Sequence, residues 1–213
     1  MLLNILQKKQ SFFALASAIF IFTQALAMGS GADWTPYFKS WEKSCDLSGQ
    51  QALLDNLIPD YEIVYNLDNS YSGIVPFKPG KIVLPSKYSL YVDSELDTTF
   101  GSFEEEYLPT KSLMSDSGYF DANFKVIGKY YGIPITKIGF VGGIANGVYS
   151  PYFTLDMDIN QVRKNLRAKK VFFTYEHSEF HDTDEYGNSD IGIGIYPDPK
   201  NPNQTNIICD MSN

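Results

Sequence analysis

The period of the hydrophobic positions divides the chain. An apolar run from Phe12 to Phe22 comes first, a short stretch with helical spacing follows, and the remainder has mostly the two-residue spacing of strands. In the helical stretch Trp34, Tyr37, Phe38, Trp41 and Cys45 fall on one stripe of a helix that Thr35 caps and Pro36 opens. A second helix begins at Ser48, with Gln51 in capping-box spacing, runs through Leu53, Leu54 and Leu57 and stops before Pro59. Helical spacing turns the aromatics of the first stripe to one side, so they are read as core and not as a ligand cage.

From Tyr61 onward the spacing predicts strands at Glu62 to Tyr65, Gly73 to Phe77, Lys81 to Leu84 and Tyr88 to Val92, each bounded by Asn, Asp, Gly or Pro. A second group covers Tyr119 to Ile127, Ile133 to Val141 and Val148 to Leu155, with Asn146-Gly147 as the strongest hairpin signal. One helix follows, capped by Asp158, with Ile159, Val162 and Leu166 beneath a basic face of Arg163, Lys164, Arg167 and Lys169. Strands at Lys170 to Tyr175, Ile191 to Tyr196 and Asn206 to Cys209 close the pattern. In the strand where Ile191, Ile193 and Ile195 alternate with Gly192 and Gly194, neighbouring aromatics are expected to cover the bare glycine face. The fold class expected is α+β: antiparallel sheet with two N-terminal helices and one short helix between later strands.

The opening run belongs to a different argument. Lys8 and Lys9 precede it and Ala25-Leu26-Ala27 supplies the small residues a signal peptidase accepts, so residues 1–27 read as a cleaved signal peptide and residues 28–213 as one α+β domain. The run is shorter than the roughly 20 residues that cross a bilayer, and no Cys follows the site to take a lipid. A periplasmic or secreted product without a membrane span is the expectation. In that oxidising setting Cys45 and Cys209, the only two cysteines, are expected to form a disulfide tying the start of the fold to its end.

Removal of residues 1–27 leaves 15 Lys and Arg against 25 Asp and Glu, a net charge of −10 that disfavours nucleic acid as a partner. The charge is local. Asp97 to Gly118, a 22-residue segment without a period, carries −4, and Glu176 to Asp190 carries −6 with no Lys or Arg, so the rest of the chain balances. Charge gathered on two loops can steer a cationic partner, whereas scattered charge only keeps a protein soluble.

Several chemistries lack their residues. His177 and His181 stand four apart, but the Glu between them is one place late for a helical zinc-protease motif, and on a strand the two rings would lie roughly 13 Å apart. Asp182, Asp184, Asn188 and Asp190 place oxygen donors around Gly187 as a calcium loop does. Tyr186 and Ile193, however, occupy donor positions, so no metal cofactor is expected. No Gly-x-Ser-x-Gly elbow and no phosphate-cradling glycine loop opens a helix. Carboxylates are plentiful enough for a glycosidase pair, but the sequence fixes no separation between any two of them.

The expectation is therefore a binding protein without enzymatic activity. Its contacts with a cationic protein partner would be Phe103, Glu104, Glu105, Glu106 and Tyr107 on one segment and Glu179, Phe180, Asp182, Asp184, Glu185 and Tyr186 on the other. In its general habit, small, exported, acidic and singly bridged, the chain is similar to periplasmic inhibitors of lysozyme-type enzymes and to immunity proteins against secreted toxins. That likeness rests on habit and no shared motif, and implies blockade of a basic wall-degrading enzyme or toxin. The alternative is a structural or assembly component of the cell envelope.

Overall fold

A computed structural model describes residues 31–43, 45–65, 67, 71–102, 118–143, 149–173, 176–177 and 192–211. The elements run in the order β1 (Ala32–Asp33), α1 (Thr35–Phe38), a 3-10 helix (Lys39–Glu42), α2 (Gln51–Leu57), β2 (Asp60–Tyr65), β3 (Tyr71–Lys78), α3 (Ser86–Ser89), β4 (Asp97–Ser102), β5 (Gly118–Tyr130), β6 (Ile133–Gly143), β7 (Tyr149–Leu155), α4 (Ile159–Ala168), β8 (Glu176–His177), β9 (Gly192–Asp198) and β10 (Asn201–Asp210). The fold is mixed α+β, as the periods predict. Eight strands form one mostly antiparallel sheet in the order β1-β5-β6-β7-β10-β9-β8, with β4 beside β1 on the outer edge of β5, while β2 and β3 make a separate ribbon. The short edge strands β1 and β8 pair in parallel.

The aromatic stripe packs as its spacing requires, but on a shorter helix. Trp34, Phe38 and Trp41 are buried, and Phe38 stacks on Phe153 of β7 at 4.2 Å between ring centroids. Instead of one helix from Thr35 to Cys45, α1 passes into the 3-10 turn after one turn, and Cys45 adopts a left-handed φ of 54°. Tertiary partners dictate this break. The Trp34 indole donates to the Ile127 carbonyl, and the Trp41 indole donates to Oε1 of Gln50 at 2.9 Å. Gln50, itself buried, also donates to the Tyr37 carbonyl. It precedes α2 where a capping Ser48 was expected; Ser48 instead donates its backbone N–H to Asp46.

Four expected segments differ. Residues Lys81 to Leu84 form no strand, and α3 stands in place of a strand at Tyr88 to Val92, leaving only a bridge between Val92 and Val126. The side chain of Tyr88 decides that exchange: it is buried and stacks on Trp34 at 4.7 Å, which the turn after Pro85 permits. Asp97 to Ser102, assigned to an aperiodic loop, is strand β4, because Thr98, Thr99 and Phe100 suit a pleated edge and pair with Ala122, Asp121 and Phe120. After α4, whose Asp158 cap accepts from the N–H groups of Asn160 and Gln161, Lys170 turns left-handed at φ 58°, and residues 171–173 are not a strand.

The long strands match their predictions to within a few residues. Asn146-Gly147 lies outside the described residues, whereas the tight hairpin between β5 and β6 is made by Tyr131 and Gly132, with φ of 48° and 81°. Cys45 and Cys209 are joined, Cα to Cα 5.5 Å apart, and both are buried. On β9, Ile193 and Ile195 face the core, and the ring of Tyr196 occupies the space a side chain at Gly194 would need, as expected for that bare face.

Candidate functional site

One rim of the main sheet gathers three of the four points from which the two acidic segments spring; the fourth is the end of β8, which runs away from the rim in parallel with β9. The rungs Ser102 with Gly118, Tyr119 with Gly143 and Gly142 with Tyr149 lie along it. The bond from the Met211 N–H to the Tyr149 carbonyl and the rung Asp210 with Gly192 continue it. Residues 103–117 leave the sheet at Ser102 and re-enter at Gly118. Residues 178–191 re-enter at Gly192 and leave after His177, which pairs with Gly194 two residues in from the rim. Five strand spacings separate β4 from β9, roughly 24 Å. Asp97 and Glu176, counted with the loops in the sequence, are in strands. The expected contacts Phe103, Glu104, Glu105, Glu106, Tyr107, Glu179, Phe180, Asp182, Asp184, Glu185 and Tyr186 lie outside the described residues, as do the calcium candidates Asn188 and Asp190, and His181.

The rim stands on rigid supports. Beneath the first segment, Phe100 and Tyr61 both contact Phe120 at 6.4 and 6.0 Å between centroids, Phe120 meets Phe140 at 5.6 Å, and Phe140 meets Tyr149 edge-on at 4.5 Å. Gly142 makes room for this row, since a Cβ there would fall within the rings of Phe120 and Phe140. Beneath the second, the disulfide sits at the anchor itself: Cys209 pairs with Ile193, and Cys45 Sγ lies 3.1 Å from the Gly192 carbonyl oxygen.

The sheet face opposite the core carries a polar network that the sequence did not reveal. The Tyr152 hydroxyl donates to Asp121 Oδ1 at 2.7 Å, Thr154 donates to Asn206 at 2.7 Å, and Ser150 donates to Asp210 at 3.3 Å. Lys137 bridges to Asp198 at 3.4 Å and lies over the Tyr152 ring. Burial pushes the Asp121 carboxyl above the usual carboxylate range, opposed by the Tyr152 hydrogen bond and the charge of Lys137. The Tyr196 phenol is pushed up to about 12, first by burial and then by Asp210. The available signal was Asp121 itself, a carboxylate in the middle of an aromatic strand.

Asp121 and Asp198 share Lys137 as a neighbour, whereas a glycosidase pair needs two carboxyl groups facing each other across a cleft. Both aspartates are buried, and the cavity beside Tyr131 does not include either of them among its lining residues. Among the described residues no group of three His, Cys, Asp or Glu side chains is placed to hold a metal ion, and no helix is long and apolar enough to cross a membrane. Comparison with protein-family models, with curated proteins and with solved structures finds no match to this chain.

Proposed function

We propose that this is an exported acidic binding protein that blocks a cationic wall-degrading enzyme or toxin with its two acidic segments. The observation that carries the reading is the common rim. Residues 103–117 and 178–191 hold 8 of the excess negative charges. Three of their four roots, Ser102, Gly118 and Gly192, lie along a single side of the sheet, and the fourth, His177, ends a strand that runs parallel to β9, away from that side. Negative charge gathered on one side attracts a basic protein from a distance and orients it on approach. Phe103, Tyr107, Phe180 and Tyr186 would then supply the buried anchors that slow dissociation.

The test is affinity capture from a whole-envelope extract, with crosslinking, at low and at high salt. Recovery of one basic enzyme at low salt and its loss at high salt is the expected result; capture that ignores ionic strength overturns the reading.

The envelope-component alternative is favoured by one observation. The outward face of the β2–β3 ribbon leaves Val64, Val75 and Phe77 exposed, the last two at 52% and 70%. A fixed homo-oligomer in solution, disrupted by Phe77→Ser, would support that reading instead.

A further inference from the structure

At the end of the sheet opposite the acidic rim, Tyr131 occupies a position its turn does not select for. A two-residue hairpin with positive φ at both central positions favours Asn, Asp or Gly, and here the first is a tyrosine at φ 48°. Bulky residues held in the left-handed region concentrate where a site over-determines them. Tyr131 is held from several sides. Its N–H donates to the Thr35 hydroxyl at 2.8 Å, its own hydroxyl donates to Glu42 Oε1 at 2.8 Å, and the Lys39 ammonium donates to that same hydroxyl while lying 5.2 Å from the ring centroid. Tyr130 meets its ring edge-on at 4.9 Å.

A cavity of about 490 Å³ opens beside it, lined by Gly31, Ala32, Asp33, Thr35, Lys129, Tyr131 and Gly132. Asp33 and Lys129 are register partners across β1 and β5, yet neither enters an ion pair among the described residues. Asp33 Oδ1 accepts the Thr35 N–H at 3.0 Å and the Thr35 hydroxyl accepts from Tyr131, which leaves the second Asp33 oxygen as an acceptor, the Thr35 hydroxyl hydrogen and the Lys129 ammonium as donors, and glycine backbone beside one immobilised aromatic ring; the charges of Asp33 and Lys129 cancel. An anion would meet Asp33 and a cation would meet Lys129. A neutral ligand that carries hydroxyls on its edge and C–H groups on its face satisfies all of them.

We propose that this cavity is a saccharide site, sized for one or two neutral sugar rings, with Tyr131 as the stacking platform and Asp33 and Lys129 as the hydroxyl-binding pair. Pockets of this volume are in the range that small ligands occupy, and a ring whose rotation is already blocked loses little entropy when a sugar lies on it.

The experiment is an amide NMR titration of the disulfide-bonded protein with two neutral disaccharides, cellobiose and N,N′-diacetylchitobiose, at millimolar concentration. Saturable shifts confined to residues 31–35 and 129–132 are expected with at least one of them. Tyr131→Phe keeps the ring and should bind within a few-fold of wild type. Tyr131→Asn installs the residue the turn prefers, so it folds, and should bind at least tenfold more weakly. The proposal is overturned if neither disaccharide gives saturable shifts at these amides, or if Tyr131→Asn binds as well as wild type. Charge-neutralising substitutions at the distant rim leave this binding unchanged, which separates it from the inhibitor reading.

Discussion

Tyr152 on β7 gives its phenolic hydrogen to Asp121 on β5, 2.7 Å away across the intervening strand β6. The ring reaches that far because Gly139 lies beneath it: a Cβ at that position would stand 2.5 Å from the Tyr152 ring. A carboxylate, a phenol and a glycine on three adjacent strands thus form one unit on the polar face of the sheet.

Two substitutions separate the charge of Asp121 from its hydrogen bond. Asp121→Ala strands a buried tyrosine hydroxyl and should cost about 1–3 kcal/mol. Asp121→Asn keeps an acceptor and removes a buried charge. Since burial raises the Asp121 pKa above 3.8, the folded state holds the proton more tightly than the unfolded chain. Its contribution to stability is present below 3.8 and is lost as pH rises through the higher folded value. The Asn variant lacks this loss. Melting temperature measured at a series of pH values should show Asp121→Asn gaining on wild type as pH rises from 3.8 toward neutrality; parallel curves would refute the assignment.

Gly139→Ala drives a methyl into the Tyr152 ring, and the ring cannot retreat without breaking its bond to Asp121. Overpacking of this kind costs about 1–3 kcal/mol. In the Tyr152→Ala background the same substitution should become nearly neutral, and chemical denaturation of the four proteins measures that coupling.

What could be read from the sequence follows how local each cause is. The burial of Phe38 and Trp41 was legible because helical spacing alone fixes their face, and the Asp158 cap because its partners are two and three residues away. Cys45 and Cys209 were legible because only one pairing exists. The break in the first helix was not, since it answers to Gln50 and Ile127, which meet the tryptophans only after folding. Tyr88 was misassigned for a similar reason: its β-compatible neighbours outvoted a stacking partner 54 residues earlier in the chain, Trp34. The Asp121 network was hidden because period-two alternation marks which face is apolar and says nothing of how polar residues on the other face pair across strands. The cavity beside Tyr131 was hidden because β1, a two-residue strand, gives no period at all.

The disulfide links residues 164 apart in sequence. On the loop-entropy account its removal costs about 5 kcal/mol. Cys45→Ser with Cys209→Ser should show this loss in denaturant titration, along with faster amide exchange at Gly192 and Ile193, the base of the second acidic segment. Unchanged exchange there would mean that the bridge does not support the rim.

The triple variant Glu104→Gln, Glu105→Gln, Glu106→Gln addresses the proposed function most directly. The reading gives these carboxylates a role in meeting a partner and none in the core, so their neutralisation should leave the melting temperature within about a degree. Steering acts before contact, so the loss falls on association. With a captured basic enzyme as partner, the on-rate at low salt should drop by roughly tenfold and its dependence on ionic strength should flatten, while dissociation, set by the apolar anchors, changes less. Stopped-flow association at several salt concentrations provides the measurement. If the three charges are lost and the on-rate and its salt slope both stay as in wild type, residues 103–117 play no part in recognition, and only 178–191 is left to carry the binding reading.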